Sequence, residues 1–80
     1  MTTFEVDVGI DQTRFDDFSE VISLQERIEE QVKGTTVSSG STGNTRDFQI
    51  EVTTEKTEEE LDKLLESMLR ETDYWSVNEI

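Results

Sequence analysis

The chain has no cysteine and no histidine among its 80 residues. Without cysteine it has neither a disulfide framework nor a thiolate zinc site. Without histidine, the usual general base, the activating member of a catalytic triad and the commonest transition-metal ligand are lost together. Cations are scarce as well, with seven Lys and Arg against twenty Asp and Glu. No apolar run approaches the roughly 20 residues that cross a bilayer. The N-terminus lacks the basic start and apolar centre of a signal peptide. The expectation is a soluble, cytoplasmic protein of one domain over residues 1–80. Its core should be modest, because a chain this short buries roughly 60% of its unfolded surface.

What is abundant is negative charge. The net value is −13, with nine acids and three bases (−6) in residues 1–40 and eleven acids and four bases (−7) in residues 41–80. The even spread excludes an acidic tail on a neutral body. Phosphate recognition needs Lys and Arg to displace counterions, so neither nucleic acid nor an anionic membrane is an expected partner. Two accounts of the acidity remain. It steers the protein onto a basic partner, or it keeps the protein soluble in a salty cytoplasm.

Phe4-Glu5-Val6-Asp7-Val8 alternates apolar and polar residues, and 44 positions later Phe48-Gln49-Ile50-Glu51-Val52 does the same. Each reads as a half-buried strand, the first over Phe4–Ile10 and the second over Thr45–Thr53. Thr13-Arg14-Phe15-Asp16 is a variant of the capping box, and Phe15, Phe18, Val21, Ile22, Leu24, Ile28 and Val32 follow on one broad helical face. Lys33-Gly34 supplies a cationic last turn and a C-terminal glycine. Gln25 interrupts that face and is expected near water at the end of the core. Thr57-Glu58-Glu59-Glu60 is a full capping box, with Leu61, Leu64, Leu65, Met68 and Leu69 at helical spacing behind it. The helices are therefore expected at Thr13–Lys33 and Thr57–Glu71. Thr35–Ser39 suits a short edge strand, residues 40–44 a flexible loop, and Tyr74–Val77 a final strand.

The order is strand, helix, strand, strand, helix, strand. The offset of 44 pairs Phe4 with Phe48, Val6 with Ile50, Val8 with Val52, Thr13 with Thr57, Asp16 with Glu60, Val21 with Leu65 and Leu24 with Met68. Two βαβ units interleaved in this way form an α+β, ferredoxin-like βαββαβ sandwich. Right-handed crossovers place both helices on one face of a four-stranded antiparallel sheet, with the first and third strands in the centre.

Helices on one face leave the other open. That face should carry Glu5, Asp7 and Gly9 from one central strand and Asp47, Gln49, Glu51 and Thr53 from its neighbour, flanked by Ser76, Asn78, Thr36 and Ser38. RNA-binding sheets of this fold put aromatics and cations there, whereas here the aromatics point inward. The copper-carrying relatives need Cys-x-x-Cys. Acyl-phosphate hydrolases of the fold need a glycine-rich first loop with an arginine, and Gly9-Ile10-Asp11-Gln12 is neither. Regulatory domains of the fold bind ligands at that loop, where Asp11 and Gln12 are ordinary loop residues. Gly40-Ser41-Thr42-Gly43 has the spacing of a nucleic-acid clamp but joins two strands without basic neighbours. A divalent cation on Glu5, Asp7, Gln49 and Glu51 is disfavoured, because flat sheets seldom converge enough oxygens.

The expectation is a small acidic binding protein without catalytic activity, metal or cofactor. It would inhibit or neutralise a basic protein partner through Glu5, Asp7, Asp47, Gln49 and Glu51. In size, charge and fold it resembles immunity proteins of toxin systems and phage-encoded inhibitors, as a monomer or homodimer. The alternative is a small regulatory or scaffold domain of a halophilic organism, whose acidity is an adaptation to salt.

Overall fold

The computed structural model describes residues 1–80. Its strands are β1 (Thr2–Asp11), β2 (Thr35–Thr42), β3 (Thr45–Thr54) and β4 (Tyr74–Glu79); its helices are α1 (Phe18–Val32) and α2 (Glu58–Met68). The strands form one sheet in the order β2-β3-β1-β4, every neighbour antiparallel. The architecture is a ferredoxin-like βαββαβ sandwich with β1 and β3 central. Alternation drives it. Phe4, Val6, Val8 and Ile10 of β1 and Phe48, Ile50 and Val52 of β3 are all buried on one face. They share a single core with Val21, Leu24, Ile28 and Val32 of α1, Leu61 and Leu65 of α2, and Leu69 and Val77. No helix is long and apolar enough to cross a membrane.

The second helix begins where its capping box predicts. The Thr57 hydroxyl accepts the Glu60 N–H at 3.2 Å, and the Glu60 carboxylate accepts the Thr57 N–H at 3.0 Å. Those bonds to Thr57 hold the Glu60 carboxyl below its ordinary value. The helix stops at Met68, three residues short of Glu71. The chain then turns so that Asp73 can be buried.

The first helix departs more. Thr13 does not cap it: the Thr13 hydroxyl donates to Asp11 Oδ1 at 2.6 Å, and the Thr13 N–H donates to the same atom at 2.9 Å. Residues Gln12–Arg14 form a short 3₁₀ turn, Phe15 is extended, and α1 starts at Phe18 with Asp17 as its N-cap. The 44-residue repeat therefore holds in the strands and for Val21 and Leu65, but not at the helix caps. Phe18, at the first position of the shortened helix, is 52% exposed and lies beside the Arg46 guanidinium rather than in the core.

A tertiary contact explains the delayed start. The Asp73 carboxylate, fully buried as a side chain, pairs with Arg14 Nη2 at 2.5 Å. It also accepts Arg14 Nε at 3.3 Å, the Asp11 N–H at 2.7 Å and the Arg70 N–H at 2.9 Å. A helix begun at Thr13 would carry Arg14 away from this carboxylate. Four donors on one buried acid outweigh a single local cap.

Two other details differ from expectation. Lys33, not Gly34, takes the left-handed C-cap conformation (φ 57°). The supposed loop over residues 40–44 is largely strand: β2 runs to Thr42, and Gly43 (φ 59°) with Asn44 makes a two-residue hairpin turn. A positive φ at the first turn position alone matches the twist of the flanking strands.

Candidate protein-binding face

The open face of the sheet is ordered in cross-strand rows. Asp47, Gly9 and Tyr74 stand side by side, then Gln49, Asp7 and Ser76, then Glu51, Glu5 and Asn78, and finally Thr53 and Thr3. The five residues singled out from the sequence, Glu5, Asp7, Asp47, Gln49 and Glu51, therefore fall in one patch on adjacent strands. At about 6.8 Å between successive residues on one face and about 4.8 Å between strands, it measures roughly 14 by 5 Å. One flanking residue was misplaced. β2 shifts register between Thr36 and Ser38, so Thr35 aligns with Glu51, Ser38 aligns with Gln49, and Thr36 aligns with the inward-facing Ile50.

Four carboxylates share this patch with no cation. Of the seven basic residues, Arg46 alone lies on a central strand, and its guanidinium turns to the helix side, donating to Gln25 Oε1 at 3.0 Å. That bond also accounts for Gln25, the polar residue on the apolar face of α1. The two ion pairs of the protein, Arg14–Asp73 and Lys63–Glu59, are both elsewhere. Glu5 and Glu51 are direct cross-strand partners, an arrangement in which like charges repel. Gln49 relieves part of this by donating its amide to Glu5 Oε1. No three carboxylates converge on a point where a metal ion would sit.

Tyr74 and Gly9, outside the five residues named from the sequence, together shape one end of the patch. A side chain at Gly9 would place its Cβ 2.0 Å from the Tyr74 ring. The ring lies directly over the glycine, and its hydroxyl donates to Asp47 Oδ1 across β1. A glycine inside an otherwise strictly alternating strand was the available signal of such a close approach. Beside the ring, Asp7, Asp47, Gln49, Ser38 and Gly40 line a shallow depression of about 280 Å³.

The bond to Asp47 raises the Tyr74 pKa above its ordinary 10.0, with burial and the nearby charges of Asp47 and Asp7 acting in the same direction. A folded pKa above the unfolded one means stability that is present below about pH 10 and lost as pH rises through the folded value. Tyr74 is the one tyrosine, so tyrosinate absorbance reads this group alone. Asp47→Asn is expected to move its titration down towards 10.0. An unchanged titration would show that the hydroxyl is not held by Asp47.

No protein-family model, curated protein or solved structure matches this chain.

Proposed function

We propose that this chain is a non-catalytic cytoplasmic binding protein that docks a basic protein on its open sheet face and neutralises it, in the manner of an immunity protein or phage inhibitor. One observation supports the reading: Glu5, Asp7, Asp47 and Glu51 stand together on an uncovered face that holds no cation. Folding gains nothing from opposing Glu5 and Glu51. A Lys or Arg of a partner placed between them converts that repulsion into attraction, and the field of the whole chain steers the encounter. Gln49 and Tyr74 each hold one carboxylate in place, which lowers the ordering cost of binding. Catalysis is disfavoured because the face is open, without the apolar enclosure that tunes one carboxyl to act as acid and another as base.

The second reading, a regulatory or scaffold domain adapted to salt, is favoured by the helices, where Glu58, Glu59 and Glu66 are exposed while Glu5, Asp7 and Asp47 of the sheet face are only half-exposed. One experiment separates the two. Association of a fluorescent oligo-arginine peptide is followed by stopped flow at low and high salt. Wild type is compared with Glu5→Gln/Asp7→Asn/Glu51→Gln and with Glu58→Gln/Glu59→Gln/Glu66→Gln, which removes the same charge from α2. The sheet variant is expected to associate about tenfold more slowly at low salt, with a flatter salt dependence, and the helix variant to change less than about twofold. Equal slowing in both would retire the sheet face and leave the salt adaptation.

A further inference from the structure

We infer that the free edge of β2 pairs with the same edge of a second copy, joining two four-stranded sheets into one of eight strands. This stands apart from the acidic face: either can fail without the other. β2 is an outer strand, and an outer strand presents unpaired N–H and C=O groups that proteins usually guard with charge, proline or a bulge. Here residues 34–45 carry no charge and no proline, the longest uncharged run in a chain with 27 charged residues (20 acidic plus 7 basic). One end is closed. The register shift between Thr36 and Ser38 interrupts the ladder, and Glu29 of α1 reaches over to accept the Thr36 N–H at 2.8 Å. Ser38, Ser39, Gly40, Ser41 and Thr42 remain, all exposed.

Charge selects the occupant. Two copies, each at −13, that met through the open sheet face or through α2 would set carboxylates against carboxylates. β4, the other outer strand, ends in Glu79. Of the two outer strands, the Ser38–Thr42 edge is the one that carries no charge at all, so like meets like there without repulsion between its own residues, and it offers a basic partner no carboxylate to grip. Antiparallel pairing about a two-fold axis at Gly40 sets Gly40 against Gly40, Ser39 against Ser41 and Ser38 against Thr42. Hydroxyl-bearing residues then face one another across strands. Space is available, since a Cβ built on Gly40 meets no atom within 4 Å. An axis normal to the sheet also leaves both acidic faces on the same side of the dimer. Long-range repulsion between the copies makes association stronger as salt rises.

The test is sedimentation velocity of the whole chain at 0.05 and 1 M sodium chloride (about these values, bracketing the range over which screening acts). Wild type is expected to dimerise, more tightly at the higher salt. Ser38→Glu/Thr42→Glu opposes two pairs of acids across the axis and is expected to weaken the dimer by roughly tenfold. Gln31→Glu/Ser67→Glu adds the same charge on the helices and is expected to weaken it far less, with circular dichroism verifying that both variants fold. Because the chain has no cysteine, Gly40→Cys gives an unambiguous second readout. At a two-fold axis its sulfurs are within disulfide reach, and oxidation should link the dimer much faster than in Ser67→Cys. A wild type that stays monomeric at both salts, equal weakening by the two double variants, or equal cross-linking of the two cysteines would each overturn the proposal.

Discussion

Asp73→Ala is expected to lower stability by roughly 3–5 kcal/mol, the usual consequence of removing one partner from a buried charge pair. Its side chain has no exposure, while that of Arg14 is 24% exposed. The substitution strands the Asp11 and Arg70 N–H groups, which bond to the carboxylate at 2.7 and 2.9 Å. A buried donor without an acceptor costs about 1–3 kcal/mol. Those bonds tie the end of β1, the 3₁₀ turn and the loop before β4 to one point. A domain of this size has about 4–12 kcal/mol in all, so the melting temperature should fall by roughly 15 °C or more. Arg14→Ala leaves the fully buried carboxylate two backbone donors but no counter-ion, and should cost a comparable amount, roughly 3–5 kcal/mol. Urea and thermal unfolding followed by circular dichroism measure both. A loss below about 1 kcal/mol in Asp73→Ala would show that this carboxylate does not organise the region.

Gly34→Ala is expected to cost about 3 kcal/mol, and the sign is the informative part. Gly34 does not have a positive φ; Gly43 is the glycine that does. On backbone grounds, alanine would therefore stabilise by about 0.4–1 kcal/mol through the unfolded state. Packing reverses this. A Cβ on Gly34 would stand 2.5 Å from Ile50 Cγ2, 2.7 Å from Val52 Cγ2 and 2.8 Å from the Glu51 carbonyl oxygen. Ile50 and Val52 have no exposure, so neither can swing away. The cost falls on the register of β3 itself. Equilibrium unfolding decides: stability equal to or above wild type would mean that the end of α1 does not press on β3 as described.

The strands were readable because a half-buried strand is a local pattern of period two, and Phe4 to Ile10 and Phe48 to Val52 keep it without a break. The start of α2 was readable for a similar reason, since both halves of its capping box lie within four residues. From those elements the handedness of crossovers leads to the sheet order, and alternation alone puts Glu5, Asp7, Asp47, Gln49 and Glu51 on the open face. Contacts between residues far apart in sequence decided the rest. Thr13 followed by Asp16 is a sound cap in isolation, but Arg14 is drawn to Asp73, 59 residues away, and the helix starts later as a result. The glycine after Lys33 looks like a C-cap and is instead a clearance for β3. Tyr74 becomes part of the acidic face because its ring covers Gly9 and reaches Asp47, 27 residues away. Periodicity and caps are energies between near neighbours, so one sequence carries them openly. A buried carboxylate, a steric clearance and a ring lying over a glycine are energies between partners that only the folded chain brings together.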